Sequence, residues 1–226
     1  MTVKKIFGKL HLWLGLASGV VVFIVCITGA IWAFSPEIED AVQSYRHVQA
    51  SEQSFLPVSR LKEIAEKYVP GKKANSIDFL GKDKSASIYF YGEDYYNTVF
   101  LNPYDGAFLK LKDNKTDFFG IVISGHYSLW LGEAGGAIVK WATVIFLIML
   151  ISGIVLWWPK NKAARKQRFK MKLGTSHKRL NYDLHNVLGF YAAWVLVFAA
   201  ITGIIWTFDW AADAEYWLAS GGKEMP

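Results

Sequence analysis

The sequence predicts a membrane α-helical protein, with three transmembrane helices (N-terminus in, C-terminus out) and a small α+β extracytoplasmic domain between the first and second. Three observations predict it. Leu10 to Phe34, Ala137 to Trp158 and Val187 to Phe208 are each apolar over more than the roughly 20 helical residues that cross a hydrocarbon core of about 30 Å. Basic residues crowd beside these stretches rather than over a folded face. The long segment between the first two carries the helix and strand patterns of a water-exposed domain. Hydrophobic residues make up 53% of the chain, with ten tryptophans, a surplus that lipid absorbs more readily than a soluble core of this size.

The charges orient the spans. Lys4, Lys5 and Lys9 precede the first helix. Lys160, Lys162, Arg165, Lys166, Arg168, Lys170, Lys172, Lys178 and Arg179 crowd the short loop between the second and third. By the positive-inside rule both segments are cytoplasmic, so Ser35 to Gly136 and the tail from Asp209 lie outside. The net charge of +6 therefore reads as topology, not as a nucleic-acid surface. A cleaved signal peptide, with Lys4 and Lys5 as its basic start and a cut after Ala30, is the rival reading. The apolar run is long for that role, and Trp32 and Phe34 continue it past the cut. The single cysteine, Cys26, falls inside the first span, which leaves no disulfide framework and gives it a packing role.

The expected organisation is a cytoplasmic N-terminus with the first span over 1–36, an extracytoplasmic domain over 37–116, and an interfacial helix with a Gly-rich turn over 117–136. The second span follows over 137–158, a basic cytoplasmic loop over 159–184, the third span over 185–208 and an outer tail over 209–226. Glu37 to Val48 reads as a continuation of the first helix. Pro57 to Val69 reads as an amphipathic helix, with Leu61, Ile64, Ala65 and Tyr68 on one face and Pro70-Gly71 as its stop. Strand-like runs follow at Ser76 to Leu80, Ala86 to Tyr91, Asn97 to Asn102 and Ala107 to Leu111, separated by turn-forming residues. Phe118 to Trp130 is apolar but short, and Gly132 to Gly136 separates it from the second span.

The chemistry lies in an internal repeat. HLWLGLASGVVVFIVCITGAIWAF from His11 aligns without gaps on HNVLGFYAAWVLVFAAITGIIWTF from His185, repeating a polar His and Thr at the same offsets. Both copies run from the cytoplasm outward, so His11 and His185 share one depth. Positions +4, +7 and +8 share the face of each histidine. They are Gly15, Ser18 and Gly19 in one copy, and Gly189, Ala192 and Ala193 in the other. Two facing imidazoles heading stripes of small residues suit a flat, apolar porphyrin with one axial nitrogen on each side, that is haem b held by His11 and His185. The plainer reading is close helix packing through the small residues. Ionisable groups inside a membrane favour the ligand reading. His126, toward the outer side, is a candidate ligand for a second haem, and His47 is the other histidine on that side. His177 reads as solvated and Met149 as packing.

These residues resemble the PepSY-associated transmembrane family, which includes inner-membrane ferric-siderophore reductases. The likeness rests on LHLWLGL (Leu10 to Leu16), VFLNPYDGAFL (Val99 to Leu109), GHYSLWLGEAGG (Gly125 to Gly136), SGIVLWWP (Ser152 to Pro159) and DLHNVLGF (Asp183 to Phe190), and spans nearly the whole chain. The resemblance implies a PepSY-like outer domain, haem iron ligation by His11, His126 and His185 with one or two haems per chain, and reduction of ferric iron or a ferric-siderophore in the periplasm. It places the protein as a multi-pass component of the bacterial inner membrane. Many members have a fourth transmembrane helix or a fused flavin reductase domain. This chain ends soon after its third span, from which a homodimer is expected to complete the second haem site.

No G-x-G-x-x-G follows a strand, so a separate cytoplasmic electron donor is expected, such as a flavoprotein docking on the basic surface from Lys160 to Arg179. Topology alone also accounts for that surface. Two other functions remain open on the sequence: a non-redox module whose outer domain binds or regulates a partner such as a peptidase, and a haem or iron transporter. No polar stripe that would line a pore supports the transporter.

Overall fold

The computed structural model describes residues 3–159, 161–162, 168–172 and 174–225. Among the expected loop bases, Lys160, Arg165 and Lys166 lie outside the described residues, as does Pro226 of the tail. In chain order the helices are α1 (Val3–Ala33), α2 (Ser35–Val42), α3 (Val58–Glu66), α4 (Phe118–Ser128), α5 (Gly132–Trp157), α6 (His177–Thr207) and α7 (Asp209–Ala219). Strands β1 (Ser76–Phe79), β2 (Ala86–Tyr91), β3 (Tyr96–Leu101) and β4 (Phe108–Asp113) lie between α3 and α4. The chain divides into two compact units, Met1–Val25 with Tyr127–Pro226, and Cys26–His126.

In the first unit, contacts between named residues give the helix directions. Lys4 Nζ donates to the carbonyl of Trp158 at 3.4 Å, His11 meets Ser152, and Ser18 meets Met149. Numbers rise along α1 as they fall along α5, so the two are antiparallel. Trp157 stacks on Phe190 at 3.7 Å and Trp141 meets Phe208 at 5.7 Å, which makes α6 antiparallel to α5 as well. The two copies of the repeat, α1 and α6, are therefore parallel. Among the described residues α1, α5 and α6 are long and apolar enough to cross a membrane. Their exposed Leu, Ile, Val, Phe and Trp side chains are the surface that lipid covers. Lys140, the one charge in the expected second span, places its ammonium 4.1 Å from the centre of the Phe208 ring, a cation–π contact suited to a poorly hydrated site.

Two boundaries differ from the sequence reading. The helix α6 begins at His177, so the apolar run from Val187 is preceded by polar and charged helical turns, and His185 sits roughly two turns inside the helix. The break before the second span takes in only the first residue of the Gly-rich run, Gly132. Leu129 and Trp130 take left-handed φ values of 51° and 60°, and α5 starts at Gly132. Gly132 is left-handed as well, with φ 57°, while Gly135 serves close approach: a Cβ there would stand 1.7 Å from the carbonyl oxygen of Ser128.

In the second unit β1 to β4 form one antiparallel sheet in sequence order. Ala86, Ile88 and Phe90 alternate along β2 onto the face that packs Leu61 and Ala65 of α3, with Val99 and Leu101 beside them. The turn after β3 closes on Gly106, whose φ is +75° and whose missing Cβ leaves space for the Ile64 side chain. The expected helix Glu37 to Val48 is shorter than the sequence suggested. It ends at Val42, a single 3-10 turn occupies Ser44–Arg46, and His47 is extended, bridging Lys84. Tyr45 then packs on Phe100 at 4.9 Å, covering the other face of the sheet.

Glu39, Arg46, Lys112 and Asp117 form a nearly buried ionic cluster. Glu39 accepts from Arg46 at 2.7 Å and from Lys112, and Lys112 also pairs with Asp117 at 2.9 Å. Asp117 in addition accepts from the Gly120 amide at 2.8 Å and so caps α4. Burial alone would lower the Lys112 pKa, but the hydrogen bonds to Glu39 and Asp117 prevail and hold it above the ordinary 10.5. A folded-state pKa above the unfolded one means that the ammonium's contribution is complete below the ordinary lysine range and is lost as pH rises through the folded value. Lys112→Met, which leaves two carboxylates short of a cation, is expected to destabilise this unit by about 2–4 kcal/mol. Hydrogen exchange of the β2 and β3 amides in the full-length protein reads it. Wild type alone should lose protection as pH climbs beyond the lysine range.

Candidate functional site

The site grows from the antiparallel contact of α1 with α5. Opposite His11, α5 carries Ser152 and Gly153. A Cβ on Gly153 would come within 3.3 Å of His11 Cε1, so the glycine lets the imidazole lie against the helix. Ser152 is buried, and its hydroxyl donates to the Met149 carbonyl at 3.0 Å. That uses its only proton, so toward His11 Nδ1, 3.0 Å away, it acts as acceptor. The network assigns the proton of His11 to Nδ1 and leaves Nε2 with an unshared lone pair. Metal-bound histidines are commonly oriented by such a partner on the far nitrogen.

Across from it, α6 presents His185. The two ring centroids are 6.2 Å apart and the planes 65° from parallel. Among the described residues no hydrogen-bond partner holds the His185 ring. Both histidines line an apolar cavity of about 470 Å³ together with Met149, Gly153, Gly189, Phe190 and Leu196, a size in the range of small-molecule sites. Gly189 has open space where a Cβ would be, and Ala192 and Ala193 also line the cavity. The matching stripe on α1 is used differently. A Cβ on Gly15 would stand 3.0 Å from the Met149 methyl, and Ser18, buried, lies 3.9 Å from its sulfur. On α1 Gly15 and Ser18 pack on Met149 while Gly19 has open space beside it, and on α6 the stripe borders a cavity.

The residues fit a haem iron held between two imidazoles. Two imidazoles that shared one ion through nitrogen at about 2 Å would have ring centres roughly 6 Å apart, and these stand at 6.2 Å. The His11 tautomer leaves Nε2 to donate its lone pair. Among the described residues no group of three or more His, Cys, Asp or Glu side chains could hold a bare metal ion.

The other predicted residues lie elsewhere. His126, in α4, is half-buried, and its ring occupies the place that a Cβ on Gly29 would take, 2.8 Å from Cε1. His47 has both ring nitrogens engaged: Nε2–H donates to the Asp40 carbonyl at 2.8 Å, and Nδ1 accepts from Lys84 Nζ at 3.2 Å. Lys84 also holds Asp40 at 2.7 Å, and this hydrogen bond keeps the Asp40 carboxyl below the usual carboxylate range. His177, at the start of α6, is exposed.

Sequence reasoning missed Ser152, Gly153, Trp157, Arg168 and Asp183 as parts of this region. A lone hydroxyl in an apolar span was the available signal for Ser152; nothing in the sequence said which histidine it meets. Arg168 lines the cavity, as does Trp157, whose indole nitrogen is buried without a partner among the described residues. Asp183, nearly fully buried, takes both Arg179 donors at 3.0 and 3.1 Å and the Lys172 amide at 3.2 Å, tying the segment before α6 to the helix.

Residues 9–225 match the family described as PepSY-associated TM region. No curated protein matches the chain.

In 15N spectra of histidine-labelled protein prepared without haem, His11 is expected to show the Nδ1–H tautomer. Ser152→Ala should shift it toward an Nε2–H mixture, and an unchanged tautomer would refute the assignment.

Proposed function

The chain belongs to the family of PepSY-associated TM regions and is a multi-pass membrane protein, and from that premise we propose that it is a haem b oxidoreductase passing electrons across the bacterial inner membrane. The observation that carries the reading is the meeting of His11 and His185, from two parallel copies of one repeat, at 6.2 Å in a shared apolar cavity. Haem b supplies one-electron chemistry at iron when bound. The residues' part is to hold and tune it. His11, through Nε2, and His185 would hold the iron. Ser152 orients His11 and, by accepting from Nδ1–H, raises its basicity. Gly153 lets His11 lie against α5, and Gly189 and Ala193 would leave room for the porphyrin.

In this proposal the donor is cytoplasmic, a flavoprotein for which the basic residues between α5 and α6 are the docking surface. The acceptor is ferric iron or a ferric-siderophore on the outer side. The basic loop and Lys4, which reaches the end of α5, support that orientation. His126 is the candidate ligand for a second haem, with a second copy of the chain supplying its other ligand. His47 is left out, because both its ring nitrogens are taken.

Purified full-length protein from haem-replete cells should show a Soret band and a reduced α-band of a low-spin, bis-imidazole haem. His11→Ala and His185→Ala should each remove that same haem. Loss of one axial nitrogen from a two-ligand site should lower haem occupancy by tenfold or more, in line with the 10–100-fold cost of even an outer partner. A colourless wild-type preparation would overturn the proposal in favour of a non-redox module that binds or regulates an outer partner such as a peptidase.

A further inference from the structure

The polar groups lining the His11–His185 cavity are unevenly matched. Arg168 is half-buried at its wall, and its two described hydrogen bonds both leave from Nη1, to Asn186 Oδ1 at 2.8 Å and to Tyr182 Oη at 3.2 Å. Tyr182 and Asn186 are four residues apart on α6 and so lie on one face. They hold the guanidinium in place by one nitrogen, and among the described residues Nη2 and Nε have no acceptor. Among the described residues no carboxylate pairs with Arg168; the nearby buried acid, Asp183, is committed to Arg179.

Trp157 makes the second, independent observation. It is only 7% exposed, stacks on Phe190, lines the same cavity, and its Nε1–H has no acceptor among the described residues. A buried N–H without a partner is costly, and a guanidinium at an apolar wall calls for an anion. Both groups are donors. The two acceptors beside Arg168 are already used by it.

We infer that Arg168 and the Trp157 indole form a carboxylate-recognition corner of this cavity, selecting a porphyrin with free acid side chains over an uncharged one. The inference rests on the proposal that the cavity takes haem, and it adds a specificity device to the two axial ligands. Arg168 meets the carboxylate through a charge-assisted fork, and Trp157 adds one neutral hydrogen bond. Neither touches the iron. Their removal therefore changes which porphyrin is held, not how it is ligated.

The test uses full-length protein purified without haem in detergent and titrated with protohaem IX or its dimethyl ester, followed by the optical spectrum. The decisive quantity is the acid-to-ester affinity ratio compared between proteins, since the ester's partition into detergent cancels. Arg168→Gln is expected to lower that ratio by about tenfold, and Trp157→Phe by about threefold, with the low-spin spectrum at saturation unchanged. Should Arg168→Gln fail to fold, Arg168→Lys, which keeps the charge but loses the fork, is expected to lower the ratio about threefold. A ratio equal to wild type in the Arg168 variant overturns the inference while leaving the haem proposal standing. Wild-type protein that binds neither porphyrin with a bis-imidazole spectrum overturns both.

Discussion

The approach of α1 to α5 at Ser152 and Gly153 is the constraint on which the first unit turns. An imidazole N–H inside an apolar span must find an acceptor or stand as a costly unsatisfied donor. Ser152 provides that acceptor because its own proton is committed to the Met149 carbonyl. Gly153 provides the room. Together they fix both the rotation of α1 about its axis and its register along α5, since a shift by one turn would take His11 away from the hydroxyl and bring it against a side chain. The middle helix also fixes α6, through Thr143 against Gly203 near one end and Trp157 against Phe190 near the other. The two histidines therefore meet because each copy of the repeat is separately indexed on α5.

This explains how much was legible beforehand. The spans, the four strands and the α3 helix were readable because hydropathy and the periods of 3.6 and 2 are properties of the local chain. The repeat was readable because it is a comparison of the chain with itself. The role of α5 was not, since nothing local in SGIVLWW says that its serine faces His11. The fate of the small-residue stripes was equally hidden. Gly15 and Gly189 occupy the same repeat position, yet one lies against the Met149 methyl and the other borders open space. Which of these a glycine does depends on the side chain that a third helix presents. His47 shows the same limit: its place after the first span was visible, but not that Asp40 and Lys84 would occupy both ring nitrogens.

In the second unit the charged groups are largely spent on one another. Glu39 draws Arg46 and Lys112 together, and Asp117 joins Lys112 to the start of α4. Three elements distant in sequence, α2, β4 and α4, are thereby tied by full charges that burial strengthens. Such a cluster reads in sequence as ordinary surface Glu, Arg, Lys and Asp. Its physical meaning appears only when side chains more than 70 residues apart in the chain, Glu39 and Lys112, prove to be partners.

Small residues on a membrane helix serve two purposes that pull in opposite directions. A packing stripe is filled by its neighbour, because the gain comes from dispersion contacts that a gap forfeits. A ligand wall must stay unfilled by protein. On α1 two of the stripe's three residues meet the first demand, with Met149 closing over Gly15 and Ser18. On α6 Gly189, Ala192 and Ala193 border a cavity whose other walls include two imidazoles, a guanidinium and an indole N–H without a partner among the described residues. Helix association alone would be better served by closing that gap with a larger apolar side chain at Gly189, for which there is room. That the gap and its donors stand together is the argument for a ligand that fills the one and satisfies the others.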